Sequence, residues 1–137
     1  MTVVFTGTGA ERPLVESIQE QMKVHSCSLV GCLNLEELAA LLSFASLLVV
    51  NNTGPAHMAA AIGTPVISLY ALTNPQHTPW SVPSRVLSRD VPCKYCYKSI
   101  CPHGHNDCLR MLSPREIVSA ATDLVSETQA LRSAGQS

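Results

Sequence analysis

The sequence predicts an α/β fold with a parallel sheet, and three observations lead there. Short β-branched runs alternate with stretches of helical period. Polar glycine turns join strand to helix at Gly7-Thr8-Gly9 and at Asn51-Asn52-Thr53-Gly54. The run over residues 47–50 is apolar throughout, as in a strand covered on both faces. Ligands of such folds bind beyond the carboxyl ends of the strands, so these turns are where function is sought.

Each element has its own signal. Residues 2–6 form a β-branched run that stops at Gly7, and residues 13–22 place Leu14, Val15 and Ile18 at helical spacing. A second short strand is expected over 26–30. Asn34 then caps a helix carrying Leu35, Leu38, Leu41 and Leu42, with Glu36 and Glu37 in its first turn. After the strand at 47–50, an alanine-rich helix is expected to end near Gly63. Residues 66–70 make a fourth strand, and Pro75, Pro79 and Pro83 mark 71–83 as an ordered loop before a last short strand at 85–87. The segment 93–108 has no usable periodicity. Ser113 is an N-cap and Pro114 opens a helix through Ile117, Val118, Ala121, Leu124 and Val125, with the polar tail after Ser126 expected to fray. One domain over 1–126, a cysteine-rich loop at 92–109 and a tail at 127–137 follow.

Composition narrows the function. A chain of 137 residues with 46% hydrophobic side chains suffices for one compact domain. Nine Lys and Arg against ten Asp and Glu leave no basic excess to hold phosphate backbones, so general nucleic-acid binding is disfavoured. No apolar run approaches the roughly 20 residues that span a bilayer. The opening residues lack a basic leader before their apolar run, which suggests the cytoplasm. Of six cysteines, Cys93, Cys96, Cys101 and Cys108 fall in one stretch, which argues for a local site rather than a disulfide-stapled module.

In the turn at 51–57 the chain leaves a strand and enters a helix through Thr53, Gly54 and Pro55. Free N–H groups at such a helix start favour an anion, glycine admits a phosphate close to the backbone, and His57 lies about one turn in. The other reading is that Asn52 or Thr53 merely caps the helix and His57 is a packing residue. Thr73 and Asn74, after the next strand, either face the same ligand or form a plain Thr-Asn-Pro turn. Gly7-Thr8-Gly9 does not complete a dinucleotide fingerprint, because Arg12 stands where the third glycine would fall, so a nicotinamide cofactor is not supported.

The stretch from Asn51 to Tyr70, NNTGPAHMAAAIGTPVISLY, followed by Leu72-Thr73-Asn74-Pro75, closely resembles the donor-binding domain of family 9 glycosyltransferases, the ADP-heptose:lipopolysaccharide heptosyltransferases. LEELAAL before the third strand and SPREIV in the final helix extend the resemblance over most of the chain. It implies the C-terminal, Rossmann-like half of a GT-B enzyme, with flanking helices on a parallel sheet. The activity implied is transfer of a sugar from a nucleotide-diphospho-sugar, ADP-heptose, to the lipopolysaccharide inner core in the cytoplasm, with the full enzyme peripheral at the inner membrane face. The donor-binding residues implied are Glu11, Asn52, Thr53, Gly54, Pro55, His57 and Thr73, with Glu11 on the nucleoside and no cofactor needed for the chemistry. Family members usually carry Asp where this chain has Asn52. The resemblance begins at the donor domain's second strand, so the acceptor domain and its general base are expected elsewhere and turnover by this chain alone is expected to be poor. A noncatalytic nucleotide or nucleotide-sugar binding module is the alternative.

Cys93, Cys96, Cys101 and Cys108 have the spacing C-x2-C-x4-C-x6-C, with His103 and His105 in the last interval. Structural zinc, a disulfide and reduced packing thiols all fit, and with zinc the chain could serve as an interaction protein. Cys27 and Cys32 read as core residues.

Overall fold

The computed structural model describes residues 2–71, 74, 76–98 and 100–134. It divides into two compact units, Met1–Ala40 and Leu41–Ser137, which subdivide the span read from sequence as one domain. All strand pairing among the described residues is parallel, in two small sheets.

In the first unit, β1 (Val3–Phe5) pairs with β2 (Ser26–Ser28), and the crossover between them contains a 3-10 turn at Gly9–Glu11 and α1 (Arg12–Gln21). A parallel pair needs such a crossover because a tight hairpin cannot join parallel strands. Strand alternation turns Ser26 toward α1, where Gln19 Nε2 donates to its Oγ at 2.8 Å, and puts Cys27 on the opposite face. Cys27 and Cys32 are therefore exposed, not core residues as their type suggested. Cys32 follows Gly31, whose φ of +71° disfavours a side chain and where a Cβ would come within 3.0 Å of Gly9 Cα. Val15 and Val30 supply the buried apolar contacts of this unit.

α2 (Leu35–Phe44) begins as expected at Asn34: Glu37 N–H donates to Asn34 Oδ1 at 2.9 Å, and Asn34 N–H donates to Glu37 Oε2 at 2.8 Å. This reciprocal pair closes the helix start. In the second unit, β3 (Leu48–Asn51), β4 (Val66–Leu69) and β5 (Ser84–Leu87) lie in the order β3-β4-β5. β4 is central, and Val66, Ile67 and Ser68 are fully buried. β3 is an edge strand with Val49 47% exposed, so it is not covered on both faces as its apolar run suggested.

α3 (Gly54–Ile62) crosses from β3 to β4, buries Ala56 and Ala59, and ends at Gly63 in the left-handed conformation with φ 89°. Thr64 then donates its buried hydroxyl to Leu42 O at 2.7 Å, satisfying a carbonyl near the end of α2. A short α4 (Asp107–Arg110) lies inside the cysteine segment. α5 (Pro114–Ala134) starts at a second reciprocal cap, in which Glu116 N–H reaches Ser113 Oγ at 3.2 Å and Ser113 N–H reaches Glu116 Oε2 at 2.8 Å. It packs on β4 and β5 with Leu124 fully buried. The helix runs on past Ser126, where fraying was expected, through Ala134. Two side chains explain the extension: Thr128 is buried and bonds back to Leu124 O, and Glu127 takes Arg85 Nη2 at 2.7 Å.

Asn34→Ala should cost about 1 kcal/mol in chemical denaturation, the usual loss for an N-cap. Glu116 generates a pH test. Hydrogen bonds from Ser113, then the Arg89 guanidinium at 2.7 Å, hold its carboxyl below the ordinary glutamate value. A depressed folded pKa means stabilisation that is complete above the unfolded value of about 4.3 and lost as pH falls through the folded one. Amide protection factors at the start of α5, taken against the intrinsic exchange rate at each pH, should therefore fall on acidification below that point, and Glu116→Gln should remove the fall.

Candidate functional site

The β3–α3 turn stands at the carboxyl edge of the sheet, because Asn51 is the last residue of β3 and pairs with Leu69, the last of β4. Asn52, Thr53, Gly54, Pro55 and His57 are all on this one turn or the first turn of α3. Thr53 sits in the N-cap position with extended backbone, φ −136° and ψ 174°, yet its side chain makes no capping bond. Its Oγ1 donates to Asn51 O at 3.3 Å instead. The capping reading of Thr53 therefore does not hold.

The contrast with the starts of α2 and α5 is chemical, although α1 and α4 also lack a side-chain capping bond. α2 and α5 close their N-termini with Asn34–Glu37 and Ser113–Glu116, and a similar Thr8–Glu11 pair closes the 3-10 turn. α3 has no acidic residue in its first turn. Nothing lies within 4 Å of where a Gly54 Cβ would project. Asn52 Oδ1 is buried and has no hydrogen-bond partner among the described residues. An open backbone and a helix dipole without a negative cap thus meet in one place, which suits an incoming anion, and the unpartnered Asn52 oxygen beside them calls for a donor such as a hydroxyl.

The loop after β4 leaves from the same edge. Tyr70 OH donates to Asn74 O at 2.8 Å and accepts Asn74 N–H at 2.9 Å. Asn74 Oδ1 is engaged by Gln76 N–H at 3.1 Å, in keeping with a turn-forming role. Thr73 lies outside the described residues. Glu11 belongs to the first unit, where its Oε2 accepts Thr8 N–H at 2.7 Å and Thr8 Oγ1 at 3.0 Å. A Gly7 Cβ would meet that same oxygen at 2.7 Å, so the first glycine turn serves the closure of Glu11 on Thr8.

His57 also lines an open groove of about 500 Å³ along the flank of α3, walled by Ala60, Ala61 and Gly63 and by Trp80 and Ser81. Trp80 is 73% exposed. It is not among the residues that sequence patterns single out, although the one tryptophan of the chain, in a proline-punctuated loop, is itself a signal.

The four cysteines of the irregular segment are partly exposed free thiols. Cys93 Sγ lies 3.7 Å from His105 Nε2, and His105 Nδ1 accepts Asp107 N–H at 3.0 Å. Backbone N–H groups, Asn106 first, face the Cys101 sulfur and hold its pKa below the ordinary thiol value. Burial pushes the Cys108 thiol up, and the nearby Cys101 and Cys93 add to the effect. Among the described residues no three His, Cys, Asp or Glu side chains are gathered as a metal site. The described helices include none long and apolar enough to cross a membrane.

Similarity to known proteins converges on one family. The family model described as glycosyltransferase family 9 (heptosyltransferase) matches residues 1–106. The chain is 40% identical over 80 residues to the lipopolysaccharide core heptosyltransferase OpsX of Haemophilus influenzae, an alignment covering 57% of this chain and 23% of that protein. Across the curated heptosyltransferases it matches, the chain spans between 23% and 40% of their length. A family 9 glycosyl transferase from Veillonella parvula superposes with a TM-score of 0.80 at 29% identity, over 92% of this chain and 37% of that one. The E. coli ADP-heptose LPS heptosyltransferase II shares the fold, with a TM-score of 0.76 at 22% identity over 93% and 37%. With most of its length matched by the family model, the chain belongs to glycosyltransferase family 9, the heptosyltransferase family.

Proposed function

We propose that this chain is the donor-binding part of a glycosyltransferase and holds a nucleotide-diphospho-sugar, ADP-heptose, for transfer to the lipopolysaccharide inner core in the cytoplasm. The observation that carries the reading is the α3 N-terminus, which lacks a side-chain cap although Thr53 occupies the capping position, and which leaves Gly54 open to approach. The donor's diphosphate would sit there, accepting backbone N–H groups, with Thr53 Oγ1 able to turn from Asn51 O toward it. His57, exposed one turn along, is then within reach of the sugar or a phosphate, Asn52 and Pro55 shape the floor of the turn, and Thr73 contributes from the neighbouring loop. Glu11 is assigned to the donor's nucleoside.

The chemistry suits this arrangement. As the bond between the anomeric carbon and the diphosphate breaks, negative charge grows on the leaving phosphate oxygen, and fixed backbone donors stabilise that charge without reorganising. The acceptor hydroxyl loses its proton to a general base that we place outside these residues. The chain's span of 40% or less of its curated relatives supports that division of labour. The full enzyme would work at the inner face of the membrane that carries its acceptor.

Calorimetry with ADP and ADP-heptose tests the site. Gly54→Val points its side chain into open space, so the fold should persist while affinity falls roughly tenfold or more, about 1.4 kcal/mol. Unchanged affinity in the folded variant would remove the phosphates from this turn. A second measurement addresses turnover: incubated with ADP-heptose and core acceptor, the chain alone should release little ADP. Rapid transfer would refute the half-enzyme reading, whereas binding with no transfer even beside a compatible acceptor domain would make the chain a binding module.

A further inference from the structure

The segment 93–108 takes no part in the transfer chemistry proposed above, and its composition is unlike the rest of the chain. The chain carries ten carboxylates against nine Lys and Arg, yet no Asp or Glu falls between Asp90 and Asp107, an interval that holds Lys94, Lys98 and two of the three tyrosines. The base of the segment is tied down. Arg89 N–H donates to Cys108 O at 2.8 Å, Lys94 N–H to Val91 O at 2.9 Å and Gly104 N–H to Cys101 O at 3.2 Å, and Cys93 Sγ meets His105 Nε2 at 3.7 Å. Between these ties the large apolar groups turn outward: Ile100 is 83% exposed, Tyr97 68% and Tyr95 45%. Tyr95 and Tyr97 both hold the left-handed backbone, with φ of 62° and 54°. That conformation costs free energy for a bulky residue, and burial of the rings does not offset it. Lys94 Nζ lies 5.2 Å from the Tyr95 ring centroid and 3.1 Å from Asp90 Oδ1, while Lys98 is exposed.

We propose that Tyr95, Tyr97, Lys98 and Ile100 dock this chain on a bilayer surface that carries anionic phospholipid headgroups. Tyrosine has an apolar body and a polar tip, which suits headgroup depth, and an exposed isoleucine beside it gains by reaching the acyl boundary. The Lys98 ammonium meets lipid phosphate oxygens, and no carboxylate interleaved in the loop repels them. One tip of this size gives reversible attachment, not insertion. The proposal deepens the reading that the full enzyme works at a membrane face by naming the residues that touch lipid, and its chemistry is separate from that of the α3 turn.

The test is cosedimentation of the whole chain with vesicles of phosphatidylcholine alone and of phosphatidylcholine mixed equally with phosphatidylglycerol. The chain should partition onto the anionic vesicles, and less so as salt is raised. Lys98→Gln should weaken partitioning roughly fivefold, as loss of one cation at an anionic surface implies. Tyr97→Asn combined with Ile100→Ser should weaken it roughly tenfold or more, asparagine being a residue that tolerates the left-handed backbone. Leu131→Ser, at an exposed apolar position near the far end of α5, should leave it unchanged. Circular dichroism checks the fold of each variant, and Lys98→Gln decides the question if the double variant does not fold. Calorimetry with ADP on the same variants separates the two readings, because loss of lipid binding should leave nucleotide affinity as it was. Absence of binding to the anionic vesicles, equal binding to both vesicle types, or binding that persists in the folded double variant would overturn the proposal. So would self-association of the chain without lipid that the double variant abolishes, because a second copy would then cover the tip.

Discussion

The parallel pairing of β3 with β4 is the constraint on which the second unit depends. Once Leu48 lies beside Val66 and Asn51 beside Leu69, the chain cannot return by a hairpin and must cross over, and α3 is that crossover. The same register fixes where the polar turns emerge. Asn52 and Tyr70 each follow the last residue of a paired strand, so both loops open on one edge regardless of their own sequences. β4 then carries its apolar content without penalty, since β3 and β5 saturate its backbone and α3 and α5 contact it.

Helix capping distinguishes the start of α3 from those of α2 and α5. Whereas α1 and α4, like α3, have no side-chain capping bond, two helix starts of this chain use a reciprocal cap with glutamate at the third helical position, Glu37 for α2 and Glu116 for α5. A carboxylate there neutralises the positive end of the dipole and would repel an anionic ligand. α3 instead has Pro55 and Ala56 in its first turn, and the length of the helix is secured at the other end by Gly63 and at its sides by buried Ala56 and Ala59. The N-terminus is left open without loss of the helix. That contrast follows from burial and hydrogen bonding alone.

Much of this is legible in the sequence because the signals are local. Asn34 three residues before Glu37, Ser113 before Pro114, and Gly63 after an alanine-rich run each act within one turn of helix, and each falls where the sequence places it. The misreadings involve partners distant in sequence. Cys27 looks like a core residue by type, but its exposure is decided by which side of a two-stranded ribbon faces Gln19. The end of α5 looks polar, but Glu127 meets Arg85, 42 residues away, and Thr128 turns inward. Trp80 belongs to a groove whose other wall is α3, and no local pattern pairs those segments. The subdivision at Ala40 is equally hidden, because it falls inside α2, a helix whose own sequence is continuous.

Asn52 is where local structure and inferred chemistry bear most directly on each other. Its Oδ1 is buried without a partner among the described residues, a state that costs free energy unless another group completes it. The side chain is an amide, so it can present either a carbonyl or an NH2 group to the same neighbour by a half-turn about its last bond. Against a diphosphate the NH2 orientation adds a donor, whereas the aspartate usual in the family would add a negative charge beside two others. In the proposed site, asparagine would therefore favour the nucleotide end of the donor. A carboxylate, in turn, accepts sugar hydroxyls more strongly than an amide does, because its hydrogen bonds are charge-assisted. Under the proposed donor reading, asparagine at position 52 would shift recognition from the sugar toward the diphosphate, and discrimination among nucleotide sugars would rest more on His57 and on the groove beside Trp80.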